Sequence, residues 1–205
     1  SKLSSLESFI ATDNLFSGVL PDISKLSVLS FFDVSRNQLN GLLPDISRLS
    51  SLKFFNVSSN QLSGPLSSQS LKGLSQLAYF DVSGNQLIGS LPCLSTALPC
   101  DSGLTQLANF AASSNFFSGT LPDIGELPAL KYFDVSGNSL TGPLPDDLWE
   151  LSFLTIFNVA FNQLSGPLPA PPSALIKSHQ AYICPNHFDM VTDGSQFWQN
   201  LAWTI

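Results

Sequence analysis

The sequence predicts a solenoid of the α/β class, in which one short unit recurs about seven times. An asparagine returns at nearly constant spacing, and leucine, glycine and aromatic residues keep fixed distances from it. The intervals between successive asparagines are 23, 23, 25, 30, 23 and 24 residues. The seven asparagines are Asn14, Asn37, Asn60, Asn85, Asn115, Asn138 and Asn162.

A Phe-x-Val or Phe-x-Ala segment precedes each asparagine. The phenylalanines are Phe9, Phe32, Phe55, Phe80, Phe110, Phe133 and Phe157. Residues two apart point to one side of a strand, so the segment predicts a short strand with its phenylalanine in the core. Because one unit cannot bury its apolar face alone, we expect successive strands to stack into a continuous parallel sheet.

The asparagine comes where the chain leaves the strand, and its amide can both donate and accept hydrogen bonds. We therefore expect a buried ladder of asparagines that satisfies the turns. Glycine always stands four residues later, where it permits a conformation or a close approach that a Cβ would obstruct. Proline usually stands seven residues later and disfavours a long helix there. The third unit carries Ser67 in that place.

The segment Asn-Gln-Leu-Ser-Gly-Pro-Leu, found at 60–66 and again at 162–168, resembles the plant-specific leucine-rich repeat. The resemblance covers residues 1–169. It implies a right-handed superhelix with a parallel sheet on its concave face and 3₁₀ or irregular structure on its convex side. Phenylalanine replaces the family's usual leucine five residues before each asparagine, and valine or alanine replaces the next leucine.

Composition excludes several classes of partner. Only 11% of the residues are charged and the net charge is −7, which disfavours nucleic acid and anionic membrane surfaces. No apolar run reaches the length of a membrane span. The resemblance implies an extracellular or cell-surface protein that binds a protein or peptide ligand and is not an enzyme.

The longest interval contains an insertion at about 92–103 with cysteines at Cys93 and Cys100. The resemblance implies an oxidising compartment, so we expect a disulfide there, although two reduced thiols are the alternative. Closing so short a ring contributes about 2 kcal/mol in the chain-entropy estimate. Extra residues in a repeat often lie near a functional face.

Residues 170–205 leave the repeat and are expected to form a C-terminal cap. The paired-cysteine N-terminal cap usual in the family is missing. We therefore expect residues 1–14 to fray or to be covered by an upstream segment or a partner.

The outward positions of the strands define a candidate binding surface on the concave sheet. Six residues before the asparagine the side chains are mostly aromatic, and four before they are mostly Asp or Asn. Exposed aromatic residues mark interaction surfaces, and a row of acids suits a Lys- or Arg-bearing partner. The alternative is that both columns only stabilise the sheet. The predicted partner-binding residues are Phe31, Asp33, Phe54, Asn56, Tyr79, Asp81, Tyr132, Asp134 and Asn158.

Asn56-Val57-Ser58 is an N-glycosylation sequon, so the sequence predicts a glycan on Asn56 if the chain is secreted by a eukaryote. Near the C-terminus, His179, Cys184, His187 and Asp189 lie close together, but their spacing matches no standard zinc pattern. We expect no metal and no cofactor.

Two other functions stay open. A regular, weakly charged exterior permits binding to ice or another crystalline surface, although the outer glutamine column is broken by Leu15, Phe116 and Ser139. The second alternative is that the chain serves as an architectural arm of a larger cell-surface protein.

Overall fold

The structure, a computed structural model, describes residues 3–96, 100–146, 148, 151–168 and 180–189. Within these residues, the chain winds through coils that each contribute one strand to a first sheet and one to a second. The first sheet contains β1 (Ser8–Ile10), β3 (Phe31–Asp33), β5 (Phe54–Asn56), β7 (Tyr79–Asp81), β9 (Asn109–Ala111), β11 (Tyr132–Asp134), β13 (Ile156–Asn158) and β15 (Gln180–Tyr182). The second contains β2 (Ser17–Val19), β4 (Gln38–Leu42), β6 (Gln61–Pro65), β8 (Gln86–Ser90), β10 (Phe116–Gly119), β12 (Ser139–Gly142), β14 (Gln163–Gly166) and β16 (His187–Phe188). All neighbouring strands are parallel.

The predicted solenoid is confirmed, and the first sheet is the predicted concave sheet. Its strands pair in constant register, so residues at one position of the repeat lie side by side from coil to coil. The second sheet was not predicted. Its register advances by two residues per coil, as in the pairing of Ser63 with Gln86 and of Pro65 with Ile88.

The phenylalanine ladder forms the centre of the core. Ring centroids of successive phenylalanines from Phe9 to Phe157 are 5.5–5.7 Å apart, with interplanar angles of 13–19°. Parallel pairing repeats the same side chain at the same place in each coil. Flat rings therefore stack in register, and the smaller valine or alanine two residues later fits beside them.

The asparagines form the predicted ladder, which ties each coil to the one before it. Asn60 Oδ1 accepts a hydrogen bond from the Leu39 amide at 2.9 Å, and Asn60 Nδ2 donates to the Val34 carbonyl of the preceding coil and to Val57 in its own. The same pattern recurs at Asn85, Asn115 and Asn162.

The convex side is built from short turns, because proline ends most second-sheet strands. Amides such as those of Leu26 and Leu29 bond to carbonyls three residues earlier. The helix in the described residues, α1 (Ser68–Leu71), begins where Ser67 replaces the repeat's proline. The Ser67 hydroxyl accepts a hydrogen bond from the Gln69 amide at 3.2 Å and so caps the helix.

Residues 180–189, placed by sequence in the cap segment, add an eighth rung to both sheets. Ala181 and Ile183 occupy the two inward positions of the repeat, five and three residues before Asn186, which continues the asparagine ladder by accepting from the Leu164 amide. The rung covers the seventh coil. The assignment of 170–205 as a separate cap stays a prediction.

The first coil leaves its core open. Phe9 is 42% exposed, whereas Phe32 in the next coil is 2% exposed. A cavity of about 400 Å³ lined by Leu6, Phe9, Phe16 and other apolar residues opens at this end. No helix in the described part of the chain is long and apolar enough to cross a membrane.

The residue before each ladder asparagine adopts a left-handed backbone, with φ between 53° and 64° in all seven coils. Glycine occupies that position in two coils, at Gly84 and Gly137, but the seventh coil places Phe161 there. Phe161 is 66% exposed, so little packing compensates for the steric cost of this conformation.

Replacing Phe161 with asparagine is expected to raise the free energy of unfolding by about 1 kcal/mol, because asparagine tolerates left-handed backbone. Denaturant unfolding would measure the change. Phe153→Asn is the matched control, because Phe153 is similarly exposed but has no positive φ. An equal gain in both variants would show that lost surface apolarity, and not backbone strain, is responsible.

Candidate functional site

The nine predicted partner-binding residues lie together on the outward face of the first sheet, in β3, β5, β7, β11 and β13. They form two adjacent columns, because the strands pair in constant register. Most of these side chains are half-buried, and Asp134 is 9% exposed. We call this surface the first-sheet face.

The aromatic column begins as a continuous stack. The Phe31 and Phe54 ring centroids are 4.1 Å apart and those of Phe54 and Tyr79 are 4.3 Å apart, with interplanar angles of 5° and 9°. The rings cover one another's faces, which stabilises the sheet as the alternative interpretation expects. Since the rings remain half-buried, part of each stays accessible to a ligand.

Two tyrosines pair with the aspartates two residues later. The Tyr79 hydroxyl donates to Asp81 Oδ2 at 3.3 Å, and the Tyr132 hydroxyl donates to Asp134 Oδ2 at 3.0 Å. Burial, followed by the nearby Asp81 carboxylate, raises the pKa of Tyr79 to about 12. Burial and Asp134 likewise raise the pKa of Tyr132. Both phenols therefore remain neutral at physiological pH.

The side chains of the acidic and amide column stabilise the turn at the end of each strand. One side-chain oxygen of each Asp or Asn accepts the amide two residues later, as Asp33 does from Ser35 at 3.0 Å and Asp81 from Ser83 at 2.9 Å. The same bond recurs at Asn56, Asp134 and Asn158. These bonds fix the turn into the asparagine ladder.

The second side-chain oxygen shows why Asp alternates with neutral residues. Asn56 Nδ2 donates to Asp33 Oδ2 at 3.4 Å, and Asn158 Nδ2 donates to Asp134 Oδ2 at 3.1 Å. Neighbouring strands are thus joined by an amide-to-carboxylate bond where two aspartates would repel.

The pattern breaks at coil five, where Asn109 and Ala111 replace the aromatic and acidic residues. Ala111 has no side-chain amide that could donate to Asp81, as Asn56 does to Asp33. Among the described residues, Asp81 Oδ2 is therefore engaged only by the Tyr79 hydroxyl. The small Ala111 side chain therefore leaves a shallow depression between the two Tyr–Asp pairs. The sequence columns did not predict this depression.

Asn56 is half-buried on this face. Its amide nitrogen donates to Asp33, and its oxygen accepts from both the amide and the hydroxyl of Ser58. A glycan at the sequon would extend from the acidic and amide column, beside the Phe31–Phe54–Tyr79 stack. Its presence stays a prediction.

The insertion is closed by a disulfide between Cys93 and Cys100, with an S–S distance of 2.06 Å. Its backbone is held by the Ser68 hydroxyl, which accepts from the Cys93 amide at 2.9 Å. The Ser95 hydroxyl bonds to Glu126 of the next coil at 3.1 Å. The described residues of the insertion contact α1 and the convex turn that contains Glu126, so this part of the insertion lies on the convex side and not on the first-sheet face.

His179 lies outside the described residues, and Cys184 is an exposed free thiol. In the part of the chain that the structure describes, no group of three or more His, Cys, Asp or Glu side chains is arranged to hold a metal ion.

The Leucine Rich Repeat family profile matches residues 129–151. A search of curated protein sequences found no match. The Arabidopsis receptor kinase HAESA, solved with the peptide hormone IDA and a co-receptor, is 28% identical with a TM-score of 0.82, over 90% of this chain and 30% of that one. A TDR receptor is 31% identical with a TM-score of 0.76, over 91% of this chain and 36% of the receptor.

A plant ice-binding protein is also similar. It is 25% identical with a TM-score of 0.75, and the match covers 96% of this chain and 62% of that one. The chain spans about a third of the length of the two receptors. The seven-fold repeat, the asparagine ladder and these similarities show that the chain belongs to the leucine-rich-repeat family, in the plant type that the receptor ectodomains represent.

Proposed function

We propose that the chain is a recognition module that binds an extended peptide or protein segment on the first-sheet face. The observation that carries the proposal is the pairing of accessible aromatic rings with carboxylates, centred on Tyr79–Asp81 and Tyr132–Asp134. Similar chains that were solved as peptide-hormone receptors support the same use.

The chemistry of the face favours a ligand that carries Lys or Arg. Three aspartates lie in one column, and Asp81 keeps an oxygen that no described amide engages. A cationic side chain above the small Ala111 would lie between Asp81 and Asp134, with the two tyrosines beside it. Aromatic anchors and charge complementarity would then act together.

An extracellular or cell-surface location is part of the proposal. It is supported by the Cys93–Cys100 disulfide, which suits an oxidising compartment, and by the similarity to receptor ectodomains. Binding, rather than catalysis, is the activity that this surface supports.

Selection from a displayed random peptide library would test the module. Peptides enriched on the wild-type chain are expected to carry Lys or Arg. Tyr79→Ala with Tyr132→Ala removes two aromatic anchors. This variant is expected to bind the enriched peptides at least tenfold more weakly, because each hot spot contributes more than about 1 kcal/mol of binding free energy.

The matched control is Gln61→Ala with Gln163→Ala, which alters two exposed side chains of the second sheet. Equal affinity of the first-sheet variant and this control would refute the surface assignment. If no peptide or protein binds either face, the architectural arm becomes the better interpretation. Ice binding would use the second sheet and does not compete with this proposal.

A further inference from the structure

The second sheet differs from the first in its charge. None of the residues in its first seven strands, β2 to β14, is Lys, Arg, Asp or Glu, although the chain has 23 such residues (8 basic and 15 acidic). Outward positions on an exposed sheet usually carry charges. Here they carry Gln, Asn, Ser and Thr together with exposed Val19, Leu42, Ile88 and Phe116.

The staggered register arranges these side chains in rows that cross the strands. Pro65, Ile88 and Phe116 are register partners and form an apolar row. Ser90, Ser118 and Ser139 form the next row, which is entirely hydroxyl. Phe116 and Ser139, which interrupt the glutamine column along the sequence, therefore share rows with side chains of like chemistry. The rows Val19–Asn40–Gln61 and Leu42–Ser63–Gln86 each combine one apolar and two polar side chains.

The glycines of the repeat make room for the outward side chains of the preceding coil, so these side chains lie close to the sheet. A Cβ added at Gly41 would lie 2.8 Å from Val19 Cγ1, and one added at Gly142 would lie 3.1 Å from Thr120 Cγ2. The outward side chain of each coil thus lies over the glycine backbone of the next. At Gly64 the Leu42 side chain takes the corresponding place. The sheet consequently presents a shallow, periodic relief.

We propose that this second-sheet face binds ice. Charged groups hold their own hydration shells and are costly to strip of water, so their absence lets ordered water approach the whole sheet. Amide and hydroxyl side chains can bond to that water, and the intervening apolar groups order their first-shell water without competing for it. Strands repeat about every 4.8 Å, which supplies the regularity that a crystal requires.

Other occupants fit this face less well. Protein interfaces concentrate their affinity in aromatic or arginine anchors that enter pockets, whereas the second-sheet strands β2 to β14 hold no Lys or Arg and present Phe116 as their one exposed aromatic side chain. The similarity to a plant ice-binding protein over 96% of this chain is an independent observation in the same direction. The proposal goes beyond peptide recognition, because it uses the second sheet.

Thermal hysteresis and inhibition of ice recrystallisation by the purified chain would test the proposal. The wild-type chain is expected to show both activities and to shape ice crystals into facets. Ile88→Lys with Ser118→Lys, which places two charges at the centre of the face, is expected to lose most of each activity.

The control is Ser50→Lys with Gln106→Lys, which adds the same charge at exposed positions outside both sheets and is expected to retain full activity. Circular dichroism and melting temperature would verify that both variants are folded. Absence of hysteresis in the wild-type chain, or equal activity of the two lysine variants, would overturn the proposal.

A change in sedimentation of Ile88→Lys, Ser118→Lys without wild-type hysteresis would identify the face as a contact between copies, and so would also overturn it. Tyr79→Ala, Tyr132→Ala is expected to keep the ice activities. Loss of peptide binding and loss of ice binding can therefore be separated.

Discussion

Phe80→Ala is expected to lower the free energy of unfolding by about 3–5 kcal/mol, the range for removing a large buried aromatic side chain. Phe80 is 1% exposed and stacks between Phe55 at 5.5 Å and Phe110 at 5.7 Å. Truncation would open a cavity and break the ring ladder at its middle. Because coils are stabilised chiefly by their neighbours, the loss would weaken both adjoining interfaces.

Denaturant unfolding monitored by circular dichroism would measure the effect. Phe80→Leu, which restores the usual residue of the family, is expected to lower the free energy of unfolding less than Phe80→Ala does. Phe153→Ala is a surface control, because Phe153 is 61% exposed. A loss for Phe80→Ala that is no larger than the loss for Phe153→Ala would contradict the ladder's role.

Asn85→Ala is expected to lower the free energy of unfolding by about 1–3 kcal/mol, the cost of leaving one buried polar group, the Leu62 amide, without its partner. Asn85 is 7% exposed. Its Oδ1 accepts from the Leu62 amide at 2.9 Å, and its Nδ2 donates to the carbonyls of Val57 at 3.1 Å and Val82 at 3.0 Å. The Leu62 amide would lose its partner, whereas the Val57 and Val82 carbonyls would each keep one donor, from Asn60 and Asn115 respectively.

Asn85→Asp is an informative companion variant, because it keeps the shape and the accepting oxygen but cannot donate unless it is protonated. It is expected to destabilise the chain at neutral pH and to recover stability as the solution is acidified. Gln86→Ala, at an exposed neighbouring position, is expected to have little effect. Tolerance of Asn85→Ala at the level of Gln86→Ala would show that the ladder bonds are dispensable.

The two exposed faces follow from one constraint. Each coil must repeat the same inward residues, so variation is confined to outward positions. On the first sheet those positions collect the aromatic stack and the Asp–Asn pairs, whereas on the second they collect uncharged side chains. One solenoid can therefore carry two surfaces of different chemistry without disturbing its core.

The eighth rung shows where the sequence pattern became too weak to follow. Asn186, Ile183 and Ala181 keep the ladder and inward positions, but Ser178 replaces the leucine eight residues before the asparagine and Met190 replaces the glycine four after it. The seventh coil supplies strand partners for residues 180–189, so this segment forms a rung although its repeat motif is incomplete.

The sequence by itself determined the number and phase of the first seven coils, the inward phenylalanines and the asparagine ladder. These features depend on local periodicity, because every coil repeats the same pattern of residues. Only the tertiary structure decided the second sheet and its staggered rows, the Tyr–Asp and Asp–Asn bonds, and the position of the disulfide-closed insertion on the convex side. The second-sheet rows, the Asp–Asn bonds and the contacts of the insertion join residues of different coils or turns, so they depend on register across the solenoid and not on spacing along the chain. The Tyr–Asp bonds join residues of one strand, and they depend on the side-chain conformations that the packed sheet imposes.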